Sequence, residues 1–435
     1  MKELKNLNIF IFHRDLRTED NKALHALIQL IGKGNKIVPI FIFNPKQIYA
    51  KNNPYFSNNA VQFMIESLMS LQKRCHLNYF EGDDLTVIES LHKKYRIKNI
   101  AYNSDYTPFA RKRDADIAAW CQKNGINVVT AEDYTLLPMG TVKNNSGQPY
   151  KVFTPFYKNV LSKKIPDPLH SSIKFDQTLN LPGEKQIYIY KYYEHNPNIA
   201  VNGGRDEALK RLSLAKSNAK SYDKTRDYPG LDSTTKLSAY IKFGCISIRE
   251  VHHAFLQNKG LIRELIWREF YANIMYHFPH VIGQSFKNKY DRIKWSENRE
   301  WFEKWCKGQT GFPLVDAGMK QLNETGWMHN RVRMIVAMFL TKDLLIDWRW
   351  GEKYFATKLV DYDPASNNGG WQWSASTGTD AQPYFRIFSP ELQLKKYDKN
   401  LEYVKRWNPG YKDIPPMIDH KERAQIAIKT FRTIA

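Results

Sequence analysis

Short apolar runs separated by segments of helical period leave the first third of this chain few folds to adopt. Residues 7–13 (LNIFIFH) and 36–43 (KIVPIFIF) read as buried strands, and further strands fit 77–81, 98–102 and 126–129. Between the first two, 20–33 sets Leu24, Leu27, Ile28 and Ile31 on one helical face. Helices also fit 58–74, 84–95 and 109–124. Strands separated by helices of this length predict a parallel sheet covered on both faces. No GxGxxG follows the first strand, so the dinucleotide fingerprint is missing.

From about 137 to 200 the pattern decays. Pro138, Pro149, Pro155, Pro166, Pro168, Pro182 and Pro197 punctuate it, which reads as a long connection over the surface with one short helix near 154–163. After 203 the convincing segments are helical: 204–216, 235–243, 247–258, 261–277, 299–306, 312–323, 328–345 and 350–358, with a last one at 418–432. The predicted organisation is an α/β doubly wound domain over 1–135, a linker over 136–202 and an all-α domain over 203–435.

Charge narrows the partners. Lys+Arg 65 against Asp+Glu 44 gives a formal charge of +21, and a chain that basic usually meets a polyanion, nucleic acid first. A lysine-rich genome is the plainer source of runs such as KKYRIK. Cys75, Cys121, Cys245 and Cys306 are scattered without CxxC pairing, which argues against a zinc site or a disulfide framework and for a reducing compartment. No stretch approaches a membrane span, and MKELKNLNIFIF opens as a strand, not a signal peptide. The expectation is a soluble, cytoplasmic monomer without a metal.

Several stretches could carry chemistry. Residues 361–378, DYDPASNNGGWQWSASTG, read as a polar, glycine-hinged and then aromatic loop suited to a flat ligand with polar edges. A capped helix start whose tryptophans fill the core is the plainer alternative. At 222–238, Ser233, Thr234, Thr235, Lys236 and Ser238 open a helix, a chemistry that suits a phosphate, although most such caps bind only their own backbone. Helix 261–277 places Glu264, Trp267, Arg268 and Tyr271 on one face; a surface Arg–Glu pair beside a core Trp would look the same. Asn330 and Met334 fall one turn apart, with Arg331 and Arg333 alongside, and Arg386 sits between aromatics in YFRIFSP.

These motifs together carry a family resemblance. FHRDLR (12–17), RDYPG (226–230), ELIWREFY (264–271), TGFPLVDAGMKQL (310–322), GWMHNRVRM (326–334), DLLIDWRWGEKYF (343–355) and NNGGWQWSASTGTDAQPYFRIFSP (367–390) resemble the photolyase/cryptochrome family. The likeness runs along nearly the whole chain, is densest from 222 to 407, and is greatest to class I cyclobutane pyrimidine dimer photolyases.

The resemblance implies FAD held within the helical domain, with Tyr222, Thr234, Thr235, Lys236, Leu237 and Ser238 at its phosphates. Asp361 and Asp363 would sit by the ribose and isoalloxazine edges, and Asn367 would face flavin N5, where plant cryptochromes typically carry Asp. UV-damaged DNA is the implied partner. Trp267, near the adenine, and Asn330 would also contact the FAD. Glu264, protonated and partly buried, would hydrogen-bond the flipped dimer; Trp267 and Trp373 would wedge it, and Asn330 and Met334 would line the remaining wall. Arg226, Arg331 and Arg386 would contact phosphates. Trp371, Trp348 and Trp295 match the family's electron-transfer chain. Phe109-Ala110 stand where folate-binding members carry Asn-Glu, which weakens the case for folate as the second chromophore and leaves a deazaflavin, a flavin nucleotide or an empty site. A (6-4) photolyase usually has a His-His pair where this chain has His329-Asn330. A cryptochrome-like photoreceptor often carries a long C-terminal extension, whereas this chain stops at Ala435.

Overall fold

The computed structural model describes residues 5–170, 172–182 and 187–434; residues 1–4 of the opening strand expectation lie outside them. β1 (Leu7–Phe12), β2 (Val38–Phe43), β3 (Asn78–Glu81), β4 (Ile97–Ser104) and β5 (Asn127–Glu132) form one sheet. All pairings are parallel and the spatial order is β3-β2-β1-β4-β5, the expected doubly wound arrangement. Ile9 pairs with Val38 and Ile11 with Ile40. Alternate residues feed opposite faces: Phe10, Phe12, Phe41 and Phe43 enter one core, and Ile9, Ile11, Ile40 and Ile42 the other. A strand buried on both sides has no polar face to show, hence the unbroken apolar runs.

The chain leaves β1 for β2 on one side and returns to β4 on the other, so the residues after β1 stand at the sheet's switch point. They are the FHRDLR motif, and they grip the helical half. Arg17 reaches the Gly244 carbonyl at 3.2 Å and pairs with Asp133, while Arg249 pairs with Asp133 at 2.6 Å and with Asp20 at 3.1 Å. All four charged groups are almost fully buried.

The stretch after β5 corrects the expectation of a purely superficial connection. It carries the Phe153–Leu161 helix and two short 3₁₀ turns, and Phe153, Phe156, Val160, Ile189 and Tyr192 are buried in the core shared by both halves. Its prolines stop regular structure without preventing burial of the apolar residues between them.

The C-terminal half is helical, with three local corrections. Residues 364–375 are a helix, not a loop: Asp363 caps Pro364–Ala375 by accepting from the Ser366 N–H at 2.9 Å. Gly369 is there for proximity, since a Cβ would lie 2.1 Å from the Tyr271 ring of the Lys259–His277 helix. The predicted 328–345 helix is Asn330–Met338 followed by a π-helical turn over Phe339–Asp343. The predicted 235–243 helix shrinks to Ser238–Lys242, because Lys236 takes a left-handed φ of 51° and ends helical geometry before it. No helix among the described residues is long and apolar enough to cross a membrane.

Candidate active site

A cleft of about 510 Å³ opens among the helices of the C-terminal half, within the size range of small-molecule sites. Tyr222, Arg226, Thr235, Leu237, Ser238, Glu264, Trp267, Asn330, Arg331, Met334, Asp361, Asp363, Asn367, Trp371 and Trp373 all line it. Residues spread over 150 positions of sequence therefore meet at one surface. Thr234, Lys236, Trp348, Trp295 and Arg386 do not line it.

The Lys259–His277 helix supplies one wall through its i, i+3, i+4, i+7 face, as its spacing predicts. Trp267 stacks on Phe153, at 3.5 Å between ring centroids, with Tyr271 beside it at 5.6 Å. Glu264 is half-buried. Its Oε1 accepts from Arg226 at 2.6 Å, and the two side chains are 36% and 29% exposed, so the pair is part-exposed in this structure. Arg331 likewise is taken by Asp227 at 2.8 Å and stacks over Tyr397.

Another part of the lining is a hydrogen-bonded frame. Arg333 donates to both Asp361 oxygens at 3.2 and 2.9 Å, and the Ser238 hydroxyl donates to Asp361 Oδ2 at 2.6 Å. Asp363 accepts from Arg14 at 3.1 Å and from the Tyr106 hydroxyl at 3.3 Å, besides its cap to Ser366. Burial pushes the Asp363 carboxyl up, but the Arg14 and Arg268 guanidiniums outweigh it and hold it at about 2. Asn367 donates to the Glu352 carbonyl at 3.0 Å, which fixes its amide. Burial pushes the carboxyl of that same Glu352 up to about 7, opposed in part by Asn367.

The hydroxyl cluster departs from a helix cap. Leu237, not Ser or Thr, occupies the N-cap position, and the Lys236 ammonium is held by Asp232 at 2.6 Å. Thr234 instead faces a small side cavity that shares Tyr222 and Thr235 with the main cleft and is bordered by Arg211. Its Oγ1 is buried without a hydrogen-bond partner. A buried hydroxyl with nothing to bond, in a side cavity that an arginine lines and that shares residues with an aromatic-lined cleft, fits a large flat ligand with an anionic tail.

Behind the cleft, Trp371 is 3% exposed and meets Trp305 edge-on at 6.0 Å and Phe355 at 5.0 Å. Trp348 is fully buried in the same cluster, and half-buried Trp295 packs against its outer side. The indole N–H groups of Trp348 and Trp295 are buried without acceptors. Arg386 stands on an exposed segment next to Phe385, itself 62% exposed. Sequence reasoning missed Arg14, Tyr106, Phe153, Arg211, Asp227 and Glu352. Arg14 sits in the conspicuous FHRDLR motif, but nothing in its spacing points 349 residues ahead to Asp363.

Comparison with known proteins agrees with this arrangement. Residues 8–172 match the family described as DNA photolyase, and residues 261–433 match the FAD binding domain of DNA photolyase. The chain is 36% identical to a deoxyribodipyrimidine photo-lyase of Buchnera aphidicola, covering 98% of this chain and 92% of that one. Among solved structures it is similar to an archaeal photolyase from Sulfolobus tokodaii crystallised with two FAD molecules, with a TM-score of 0.87, 37% identity and coverage of 98% and 99%. It also resembles a Synechocystis cryptochrome, with a TM-score of 0.85, 26% identity and full coverage of both chains. With identity above one third along almost its whole length, and both halves matched in order, the chain belongs to the DNA photolyase family.

Proposed function

We propose that this protein is a monomeric, cytoplasmic DNA repair enzyme that uses light to split cyclobutane pyrimidine dimers, with FAD in the cleft. The observation that carries the reading is the convergence on one cleft of Asn367, Glu264, Trp267 and Trp373, with two arginines at its rim. Reduced FAD, when bound, supplies the excited electron that lets the two inter-base bonds of the dimer break.

The chain's own residues bind, orient and exclude water. Thr234, with Arg211 nearby, and the backbone around Thr235–Ser238 would hold the phosphates; Lys236, already paired with Asp232, would serve only as background charge. Asp361 is oriented by Arg333 and Ser238 before any ligand arrives. Asp363 has three of about four acceptor positions engaged, which leaves one for the ligand's edge. Asn367 is anchored by one N–H to the Glu352 carbonyl, which leaves its second N–H and its amide oxygen for the ligand. Trp267 is pre-stacked on Phe153, so it gives a flipped-out dimer a rigid apolar face, with Trp373, Met334 and Asn330 opposite. Glu264, once its pair with Arg226 has opened and it carries a proton, would donate a hydrogen bond to the dimer carbonyls and stabilise charge developing there. Trp371, Trp348 and Trp295 would conduct electrons between the cleft and the surface.

A second chromophore in the α/β half is part of this reading. The archaeal relative with two FAD molecules favours a flavin over folate or a deazaflavin, in keeping with Phe109-Ala110. Of the other repair chemistry, a (6-4) photolyase is disfavoured by His329. Burial pushes that ring down to about 4, and its Nδ1 accepts from the Arg331 N–H as a helix cap. The likeness to a cryptochrome keeps a photoreceptor as the second reading. The deciding experiment is illumination of an oligonucleotide containing one thymine dimer with the chemically reduced protein. Restoration of the thymines supports repair, and an unchanged dimer removes it.

A further inference from the structure

Both rim arginines proposed to touch DNA already have a carboxylate partner. Arg226 is bound by Glu264 and Arg331 by Asp227. The first pair is the informative one, because its acid is also the residue proposed to meet the dimer. The contact is a single one, Nη1 to Oε1 at 2.6 Å, with both groups part-exposed and lining the cleft. Such a pair opens at small cost. Seating DNA draws on both groups in competition with the pair, a phosphate on Arg226 and a base edge on Glu264.

We propose that Glu264 withholds Arg226 from DNA until a flipped-out dimer occupies Glu264, so that this ion pair helps the protein discriminate damaged from undamaged DNA. The inference rests on the repair reading above. On undamaged duplex no base enters the cleft. A phosphate that draws Arg226 away then leaves Glu264, a part-exposed carboxylate, without a cation, and part of the phosphate's attraction is cancelled. On damaged DNA the dimer's N–H donates to Glu264 at the moment Arg226 leaves, and the exchange is balanced. The discrimination comes from what undamaged DNA lacks, which is a device of specificity rather than of affinity.

The test is a double-mutant cycle on DNA binding in the dark, with the oxidised holoenzyme, so that no repair is involved. The probes are a duplex carrying one thymine dimer and the same duplex undamaged. Glu264→Gln should tighten binding to undamaged duplex about two- to fivefold, the range that a part-exposed ion pair allows. It should also steepen the slope of log K against log salt by about 0.9, as one more phosphate is neutralised. In an Arg226→Gln background the same Glu264→Gln change should leave undamaged binding unaltered. Equal tightening in both backgrounds would mean that Glu264 merely repels DNA as a charge, and would overturn the proposal, as would no tightening in either. FAD content and thermal unfolding of each variant report folding independently. A wild-type protein with no preference for the dimer duplex would bring down the repair reading itself, an outcome distinct from a dimer-selective protein whose two substitutions act independently.

Discussion

Trp371 belongs to two environments at once, with one side in the cleft and the other edge-on to Trp305 and Phe355 in the core. Replacing it with Phe keeps an aromatic ring in that packing and removes the oxidisable indole. Trp371→Phe should therefore slow photoreduction of the oxidised flavin at least tenfold while repair by the chemically reduced enzyme stays near wild type. Flash photolysis and a single-turnover repair assay, run on the same preparation, check the two halves. If repair by the pre-reduced variant fell as far as photoreduction, Trp371 would not be an electron conduit. Trp305 is fully buried, and its indole N–H donates to the Val336 carbonyl at 3.1 Å, so this neighbour has the satisfied packing that Trp348 and Trp295 lack.

Between elements, the Trp348–Lys358 and Pro364–Ala375 helices are joined at Glu352 and Asn367 and by the fit of Gly351 under Trp371. A Cβ on Gly351 would lie 2.1 Å from the indole. Glu352 is the costly part of this junction. Its carboxyl titrates at about 7 when folded, against roughly 4.3 for an ordinary Glu. Between those values the folded state holds a proton that the unfolded chain has released, so stability falls as pH rises through the window. The loss is complete about a unit above pH 7 and amounts to about 4 kcal/mol. Glu352→Gln should thus match the wild type near pH 4 and exceed it by roughly 3–4 kcal/mol at pH 8. Urea unfolding at both pH values measures this; an equal difference at the two would show that Glu352 does not change its protonation on folding.

At the scale of the molecule, the α/β half and the helical half are held together by buried charge. Asp133 serves Arg17 and Arg249 simultaneously, and Arg14 reaches from the sheet's switch point to Asp363 at the cleft. Removing one member of such a network strands the others without water. Asp133→Asn should cost about 3–5 kcal/mol, measured by chemical denaturation. A loss below about 1 kcal/mol, the scale of an exposed pair, would mean the network is not desolvated in solution. DNA binding also belongs to this scale, because the formal charge of +21 attracts any duplex. Arg386, exposed and away from the cleft, should act as a phosphate contact only. Arg386→Ala should weaken damaged and undamaged DNA by the same factor and flatten the salt slope by about 0.9. A loss confined to damaged DNA would move Arg386 into lesion recognition.

Periodicity was enough to read the parallel sheet, the helical second half and the glutamate–tryptophan–arginine face of the Lys259–His277 helix. Each depends on residues within a few turns of one another, where spacing dictates which side chains share a face. The motif string was enough to read the family, and with it about half of the residues that line the cleft. Local reasoning failed where a distant partner overrode it. DYDPASNNGGWQWS has the composition of a loop yet folds as a helix, because the Asp363 cap and the tight approach of Gly369 to Tyr271 outweigh two glycines. The hydroxyl cluster before Ser238 has the composition of a cap, but Lys236 bends to Asp232 and Thr234 turns to the side cavity. Glu264 has the position of a catalytic acid and is paired with Arg226, 38 residues away. Arg14 and Asp363 are 349 residues apart, and no pattern along the chain predicts their pairing. Charges that remote meet only after the apolar faces have collapsed, so tertiary packing, not local spacing, decides their partners.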